Sequence, residues 1–519
     1  MNLWLNCQVM MNTLKIYAGY KVNNKPINLV ILGGGTAGWM AANVFIRKWS
    51  SQQVRITLVE SPEVGIIGVG EGSTPTLKRF FKLIDVSESE WMPHCNATYK
   101  VSIRFSGWSP KSGIKSYSHP FTSQVDTFTA TPFITNCRTR RLGLDTNTTP
   151  EDFLLNGVLA NQEKAPIASE NFPFAMEYGY HFDSNLLGQF LAEIGVSRGV
   201  KHRQEHIADV QQKGNGDIAS IITRDGEKIE ADYFIDCTGF SSVLMQKTLK
   251  VPFKSYKENL FNDSAVVMPT PISQSIPVET VSTALSAGWC WKIPLTNRFG
   301  NGYVYSSSFI SSESAEKEFR EHLDTLDSDQ TCHHLKMKVG QLEQHWSHNC
   351  IGLGLSQGFI EPLEATALHL VQICIEMFAE NFEKGGFNNT YRDDYNLKVS
   401  NRFERVRDYI VAHYKLNTRD DSDYWRANRD NVNLSDSLIQ ILDVWYKRGD
   451  LIEEIERQKL STHFDVVSWN CLLAGYGAFP PLEKDQPGIG DLYIEKNIQS
   501  FLQRCSLNFS KHANHLIQK

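Results

Sequence analysis

Residues 27–38, which read INLVILGGGTAG, decide the fold of this chain. A short apolar run ends in Gly33, Gly35 and Gly38, an apolar helical pattern follows, and a second apolar run ends at Glu60. This order is typical of a dinucleotide-binding βαβ unit, whose glycines allow the turn, the approach of a pyrophosphate and close helix packing. Glu60 is then expected to accept hydrogen bonds from an adenosine ribose. The alternative is a glycine-rich turn in another kind of α/β unit.

Thr36 and Ala37 lie in the glycine turn, just before the apolar helical pattern of residues 39–46. The N–H groups at the N-terminus of this helix and the helix dipole favour an anion, so we assign both residues to the cofactor. A later strand ends at Asp236, and Thr238 and Gly239 after it predict another glycine turn near the same cofactor. The chain has one G-x-G-x-x-G, whereas a flavoprotein that binds its own nicotinamide often has a second βαβ unit. We therefore expect FAD, reduced by a separate protein, although some flavoproteins bind a nicotinamide transiently without such a motif.

Length and composition set the broad class. The chain has 519 residues, 41% of them hydrophobic and 21% charged, with a formal charge of −6. These values predict two or three globular modules and give no support to nucleic-acid or anionic-membrane binding. Ten cysteines without a C-x-x-C pair indicate reduced thiols in a cytoplasmic protein, and no apolar run has the length of a membrane span. Residues 1–26 lack a signal-peptide pattern and are expected to be a poorly ordered extension, which contains two further methionines, Met10 and Met11.

The remaining patterns predict the other elements. Residues 97–105 alternate as a strand, residues 106–176 are loop-rich, residues 218–235 form a hairpin, and residues 251–310 form a second sheet. The expected helices are one that contains Leu77, Phe80, Phe81 and Leu83, and others over 184–198, 366–382, 402–415 and 436–448. Gly449, after Lys447 and Arg448, is expected to end the last of these helices.

Three stretches could carry chemistry. Trp289 and Trp291 share one face of a strand, where an aromatic pair packed in a core is the simpler interpretation. The loop with Glu361 and Glu364 opens an apolar helix, whose N–H groups could bind a halide or could form an ordinary helix start. Lys100 lies in an apolar strand. Such a lysine usually points to solvent, but a buried one is a candidate amine nucleophile or proton donor.

Together these stretches resemble the flavin-dependent halogenases of the tryptophan-halogenase family, from about residue 27 onwards. The motifs in the family's order are GGGTAGWM at 33–40, GVGEGSTP at 68–75, WMPHCNATYK at 91–100, WCWKIP at 289–294 and FIEPLE at 359–364. The W-x-W-x-I-P box and the lysine-bearing strand are specific together. They favour the functional interpretation of each stretch over the structural one.

The resemblance implies a mechanism. FADH2 from a separate NAD(P)H-dependent flavin reductase, O2 and a halide ion (chloride or bromide), held by N–H groups near Thr366 and Ala367, would give hypohalous acid. The acid would pass through a tunnel to Lys100, which would polarise it by a hydrogen bond or capture it as a haloamine, and so halogenate an aromatic carbon. Glu364 would stabilise the developing positive charge and help to remove the ring proton.

The resemblance also assigns residues to the cofactor and the substrate. Trp289 and Trp291 would crowd the flavin side, so that an organic substrate cannot approach it and be hydroxylated. Gly70 and Pro362 belong to the family's cofactor motifs. A further pair, His119 and Phe121, matches an aromatic pair that stacks on the substrate in the family. No metal site is expected.

Two departures from the family's pattern bear on specificity. Tryptophan-specific members have Glu-Ser-Thr-Gly where this chain has Glu364, Ala365, Thr366 and Ala367. Ala367 replaces a glycine and would be strained if its position required a positive φ. The helical C-terminal third also shows no clamp for a tryptophan carboxylate. We therefore expect bromide to be favoured over chloride, and an electron-rich indole rather than free tryptophan to be the substrate.

The expected fold is α/β: a Rossmann-like FAD-binding module of the flavin monooxygenase type, with an additional β-sheet and a mostly helical C-terminal substrate module. The FAD module is expected over residues 27–385, with inserted segments at about 111–177 and 251–340, and the helical module over 386–519. The expected partners are the reductase and an aromatic small molecule, with a homodimer left open. An FAD-dependent monooxygenase and a non-catalytic flavin-binding protein are the alternative functions.

Overall fold

The structure is a computed structural model that describes residues 25–63, 70–460 and 463–516. Most of the predicted N-terminal extension, over residues 1–24, lies outside the described residues, as does the first part of the glycine loop, over residues 64–69. In the described part of the chain, no helix combines the length and the apolar character that a membrane span needs.

A six-stranded sheet carries the glycine motif. Its strands are, in spatial order, Trp346–Ser347, Cys350–Gly352, Tyr233–Asp236, Ile27–Leu32, Val54–Glu60 and Lys201–Gln204, and the last five of these are parallel. Alternate residues of Ile27–Leu32 enter two different apolar clusters, Leu29 and Ile31 on one side and Val30 and Leu32 on the other. From residue 29 to residue 32 the strand is therefore buried on both faces, which is why these four residues are all apolar.

A seven-stranded sheet confirms most of the predicted second sheet. Its strands are, in order, His333–Lys336, Ser264–Pro271, Arg298–Tyr305, Gly288–Pro294, Glu279–Leu285, Ser102–Ser106 and Ser116–Pro120. The strand predicted over residues 97–105 is divided at Val101. Its first half, Thr98–Lys100, pairs with Gly179–Phe182 in a separate small sheet, and its second half joins the large sheet. The division places Lys100 where two sheets meet.

The small sheet of Thr98–Lys100 and Gly179–Phe182 has Glu71–Gly72 as its third strand, and three further small sheets complete the described β structure. They are Ile207–Gln212 with Ile218–Thr223 and Lys228–Glu230, Phe253–Ser255 with Gly340–Leu342 and Gly358–Phe359, and Lys164–Ala168 with Phe509–Lys511. The hairpin predicted over 218–235 is therefore too long. Its second strand ends at Glu230, because the chain then enters the parallel sheet as Tyr233–Asp236.

Helices cover the sheets and fill most of the chain after residue 360. The longer ones are Thr36–Lys48, Thr76–Leu83, Ala130–Arg140, Leu155–Asn161, Ser184–Ser197, Ser312–His322, Thr366–Lys384, Arg392–Lys415, Asp423–Asp430, Asp436–Tyr446, Leu451–Arg457, Val466–Gly475 and Ile498–Ser506. Four-residue helices lie at Glu88–Trp91, Pro150–Phe153 and Leu492–Glu495. Within Thr76–Leu83, Leu77, Phe80 and Phe81 are buried as expected, whereas Leu83 is 42% exposed.

Two sequence predictions about helices are wrong. The loop-rich stretch 106–176 contains helices, because Phe133 and Cys137 of Ala130–Arg140 pack into the core despite the polar residues between them. The helix predicted over 436–448 ends at Tyr446, and Arg448, with a φ of 61°, takes the left-handed conformation expected of Gly449. The guanidinium of Arg141 donates to the carbonyls of Val444, Trp445 and Gly449 and so satisfies the helix end from outside.

Candidate active site

Three loops meet at one edge of the parallel sheet and form a cradle for a dinucleotide. They follow the neighbouring strands Ile27–Leu32, Tyr233–Asp236 and Cys350–Gly352, at the edge where α/β sheets bind ligands. Gly33 has a φ of +115°, and a Cβ on it would lie 2.2 Å from the Cys237 carbonyl oxygen. A Cβ on Gly35 would meet nothing within 4 Å, so the space above this residue is open.

The helix Thr36–Lys48 begins at this open space. Its N-cap is Gly35, no side chain caps it, and its first turn has no acid, so its first N–H groups remain available to an anion. Gly38 lies against the turn, where a Cβ would come 2.0 Å from the Gly33 carbonyl oxygen. Thr36 Oγ1 donates to the Ser184 carbonyl, and a Cβ on Gly354 would lie 2.8 Å from the Ala37 methyl group. These residues fit the pyrophosphate of FAD.

Two acids, Glu60 and Asp236, lie beside the cradle and have different hydrogen-bond partners. The Glu60 carboxylate crosses Gly34, where a Cβ would lie 1.5 Å from Oε2, and its Oε1 is 2.6 Å from His202 Nε2. The buried Asp236 carboxylate accepts hydrogen bonds from Thr238 and from the backbone N–H groups of residues 244 and 245. Glu60 thus lies at the end of its strand, over the glycine turn, whereas Asp236 holds the turn that faces the cradle.

The tryptophan pair lies on one face of the strand Gly288–Pro294, with ring centroids 6.0 Å apart. Both rings are buried, and Trp289 Nε1 donates to Glu361 Oε2 at 3.1 Å. The same oxygen accepts hydrogen bonds from Asn262 Nδ2 and Tyr414 OH, at 2.8 and 2.5 Å. Burial raises the pKa of Glu361 above its ordinary value, against these hydrogen bonds. The motif's first glutamate is therefore a buried anchor for Trp289.

Gly70 and Pro362 lie next to the tryptophan strand and to Glu364, respectively. With its φ of +92°, Gly70 lies against the end of the tryptophan strand, where a Cβ would be 3.4 Å from Ile293. Pro362 begins the short turn Pro362–Glu364 that carries the motif's second glutamate.

Glu364 is held between two histidines. His119 Nδ1 lies 3.1 Å from both carboxylate oxygens, and His413 Nε2 lies 3.0 Å from Oε1. Burial raises the pKa of Glu364, but His119 and His413 outweigh it and lower the pKa to about 2. Burial also lowers the pKa of His413, so its imidazole is neutral and accepts from Tyr476 OH at 3.1 Å. Glu364 is consequently a fixed, ionised carboxylate.

Lys100 is buried, with 1% of its surface exposed, so the solvent-facing interpretation is wrong. Its Nζ lies 5.6 Å from the centre of the Phe121 ring, and no acceptor in the described part of the chain is hydrogen-bonded to it. Burial lowers the pKa of Lys100 to about 7, although the charge of Glu364 acts in the opposite direction. Near neutral pH the amine therefore occurs in both its charged and its neutral form. Its N–H groups are available to donate hydrogen bonds to a ligand.

The helix Thr366–Lys384 starts from a strained residue. Ala365, its N-cap, has a φ of 55° and a ψ of 33°. Ala367 lies inside the helix and is absent from the left-handed residues, so the strain expected at position 367 lies at position 365 instead. Thr366 Oγ1 is buried and has no hydrogen-bond partner among the described residues. A hydroxyl and the first N–H groups of a helix are therefore available together to an anion.

Sequence reasoning missed His413 and the contact between His119 and Glu364. The stacking of His119 on the substrate stays a prediction, and its Nδ1 lies within hydrogen-bond distance of the Glu364 carboxylate. His413 lies four residues after the buried Tyr409 on the helix Arg392–Lys415. A histidine on the apolar face of a helix was a signal that could have found it.

Comparison with known proteins places the chain in a family. The tryptophan halogenase family model matches residues 28–487. A tryptophan 6-halogenase of Streptomyces toxytricini is 38% identical over 81% of this chain and 84% of its own length, and its crystal structure superposes with a TM-score of 0.82. A tryptophan 7-halogenase of Lentzea aerocolonigenes is 31% identical over 88% of this chain and 91% of its own length.

A third relative is a flavin-dependent halogenase of Xanthomonas campestris, whose solved structure has a TM-score of 0.81 at 31% identity. It covers 95% of this chain, and this chain covers 98% of it. The fold is thus that of the flavin-dependent halogenases along nearly the whole chain. The chain is an enzyme that belongs to the tryptophan halogenase family.

Proposed function

We propose that this enzyme halogenates an electron-rich indole other than free tryptophan, through Lys100, and that it uses bromide in preference to chloride. The observation that carries the proposal is the buried Lys100, whose Nζ has no acceptor among the described residues and lies within the electrostatic reach of the ionised Glu364. The tryptophan halogenases named above act on the same ring system.

Bound FADH2, with O2 and a halide, supplies hypohalous acid. The Lys100 ammonium donates a hydrogen bond to the oxygen of this acid and makes the halogen more electrophilic. The indole carbon attacks the halogen, the oxygen–halogen bond breaks, and the oxygen leaves as water after it takes a proton from Lys100. The amine of Lys100 then recovers its proton from solvent or from Glu364.

Glu364 completes the reaction at the ring. It is ionised, because its pKa is about 2, and so it can accept the proton that the halogenated carbon loses. Its negative charge also favours the cationic ring that precedes this loss. His119 and His413 fix the carboxylate from two sides, so it does not have to reorient when positive charge develops on the ring.

The motifs shared with the family support the roles of the other residues. We assign FAD to Gly33, Gly35, Thr36, Ala37, Gly38, Glu60, Gly70, Asp236, Trp289, Trp291 and Pro362, the halide to Thr366 and Ala367, and the substrate to His119 and Phe121. Residues 27–385 form the FAD module and residues 386–519 the substrate-covering module. A separate NAD(P)H-dependent flavin reductase supplies FADH2.

The preference for bromide rests on reactivity. Bromide is easier to oxidise than chloride, so it needs less help from the pocket. Compared with the family's Ser and Gly, Ala365 lacks a hydroxyl and Ala367 adds one methyl group, which changes packing by about 1 kcal/mol, less than the difference in reactivity. In a competition assay with equal chloride and bromide, we expect mainly brominated indole. A mainly chlorinated product would contradict the preference, and Ala365→Ser with Ala367→Gly should shift the ratio toward chloride.

One experiment tests the activity as a whole. The purified protein, FAD, a flavin reductase, NADPH, O2 and bromide are incubated with indoles and phenols, and the products are read from their bromine isotope pattern. Brominated product that depends on the reductase and on bromide is expected. An oxygenated product in the absence of halide would support the monooxygenase instead, and no product with any aromatic would support a non-catalytic flavoprotein.

A further inference from the structure

We propose that His181 is a positioning residue for Lys100. As a neutral imidazole, it bridges Thr98, in the short strand of Lys100, to Thr280, while Thr98 itself donates to the carbonyl of Pro294, the last residue of the W-x-W-x-I-P motif. The inference rests on the proposed function of Lys100, and it adds a residue that touches neither halide nor substrate. It also explains what the proline at the end of the motif contributes: its carbonyl accepts the hydrogen bond from Thr98.

The backbone brings the two strands together. His181 lies in Gly179–Phe182, which pairs antiparallel with Thr98–Lys100, and His181 is directly opposite Thr98. The side chains of Thr98 and His181 are fully buried, so each polar atom in them needs a partner.

The hydrogen bonds between these side chains place a proton on His181 Nδ1. Thr98 Oγ1 lies 2.7 Å from the Pro294 carbonyl oxygen, which can only accept, so the Thr98 hydroxyl donates to it. The Thr98 oxygen then accepts from His181 Nδ1, at 3.1 Å. In the neutral ring, the second nitrogen, Nε2, accepts from the Thr280 hydroxyl, at 2.9 Å.

His181 and Thr280 also lie close to Lys100. A Cβ built on Gly72 would lie 3.1 Å from Lys100 Nζ, 3.3 Å from Thr280 Oγ1 and 3.6 Å from His181 Cδ2. The groups therefore converge on one glycine, and a larger residue there would displace the ammonium. Burial, Lys100 and His512 all lower the pKa of His181 well below its ordinary value, so the imidazole stays neutral beside the ammonium.

Both nitrogens of His181 are used, so the ring cannot turn without losing a buried hydrogen bond. Thr98 is two residues from Lys100 and on the same face of the strand, and Pro294 follows the tryptophan pair in its strand. The bridge thus fixes the position of the Lys100 side chain relative to Trp289 and Trp291. Loss of the bridge should misplace the ammonium and leave the FAD cradle as it is.

The test compares Thr98→Val, which removes the hydroxyl at constant shape, with Thr98→Ser, which keeps it. A third variant, His181→Phe, fills the volume of the ring without its nitrogens. Three quantities are measured: FAD affinity from flavin fluorescence, kcat and KM for indole bromination, and the midpoint pH at which Lys100 reacts with a small acylating reagent. The last is quantified by peptide mass spectrometry.

We expect Thr98→Val and His181→Phe to bind FAD normally, to lose tenfold or more in kcat with little change in KM, and to shift the labelling midpoint of Lys100. Thr98→Ser should retain the parental values. A parental kcat and an unchanged labelling midpoint of Lys100 in Thr98→Val would overturn the inference. This result decides the question even if His181→Phe does not fold. If the parent protein brominates nothing, the proposed function fails, but the labelling of Lys100 in Thr98→Val still decides this inference.

Discussion

The charge state of Lys100 gives the sharpest prediction. Burial lowers its pKa from 10.5 to about 7, while Glu364 favours the charged form. That shift corresponds to roughly 5 kcal/mol against the ammonium. If the ammonium delivers the halogen, the bromination rate should be constant below pH 7 and fall about tenfold for each pH unit above it. In Glu364→Gln the carboxylate charge is absent, so the midpoint of Lys100 should move below that of the parent.

Two measurements check this prediction in parallel. The pH dependence of Lys100 acylation gives its midpoint directly, with the exposed Lys317 as a labelling control in the same sample. The rate of indole bromination is measured over the same pH range with the reductase in excess. Ionisation of hypohalous acid also lowers the rate at high pH, but the pKa of this acid is the same for the parent and for Glu364→Gln. A rate that rises through pH 7 would mean that the free amine acts, as a haloamine requires. A Lys100 midpoint that is the same in Glu364→Gln would refute the coupling.

Two further pairs of variants test the backbone of the site. Ala365→Gly should stabilise the protein by about 1 kcal/mol, because it relieves a left-handed alanine, whereas Ala367→Gly should cost about 1 kcal/mol inside the helix. In a chain of this size each change moves the calorimetric Tm by about 1 °C, in opposite directions, and equal signs would refute the backbone assignment. Gly35→Ala should leave the Tm of the FAD-free protein unchanged but abolish FAD binding, since its Cβ points into open space. Gly38→Ala should lower the Tm of the FAD-free protein. Normal FAD affinity in Gly35→Ala would contradict the assignment of FAD to the cradle.

The sequence predicts the parts of the fold that depend on local patterns. The βαβ unit, the helix Ser184–Ser197 and the helix Thr366–Lys384 follow from glycines, turn residues and apolar periodicity near each other in the chain. Arg448 shows the limit of this reasoning. The end of its helix depends on Arg141, which is some three hundred residues earlier, so Gly449 does not take the expected conformation.

The site shows the same limit more strongly. The motifs locate Lys100 and Glu364, but the burial of Lys100 arises only when two sheets meet at Val101. The partners of Glu364 come from positions 119 and 413, which no local pattern joins to it. Long-range contacts of this kind set pKa values and hydrogen-bond directions, so these had to come from the structure.

The central claim is that Lys100 delivers the halogen, and replacement of this one residue tests it most directly. Indole bromination is measured for Lys100→Ala and Lys100→Arg with FAD, reductase and bromide, together with flavin binding and O2 consumption. The exposed Lys292, in the tryptophan strand, provides the control Lys292→Ala. The account predicts no brominated indole from either Lys100 variant, because a guanidinium has a different shape and is not a usable amine, with flavin binding and O2 consumption intact. Substantial brominated indole from Lys100→Ala would contradict it.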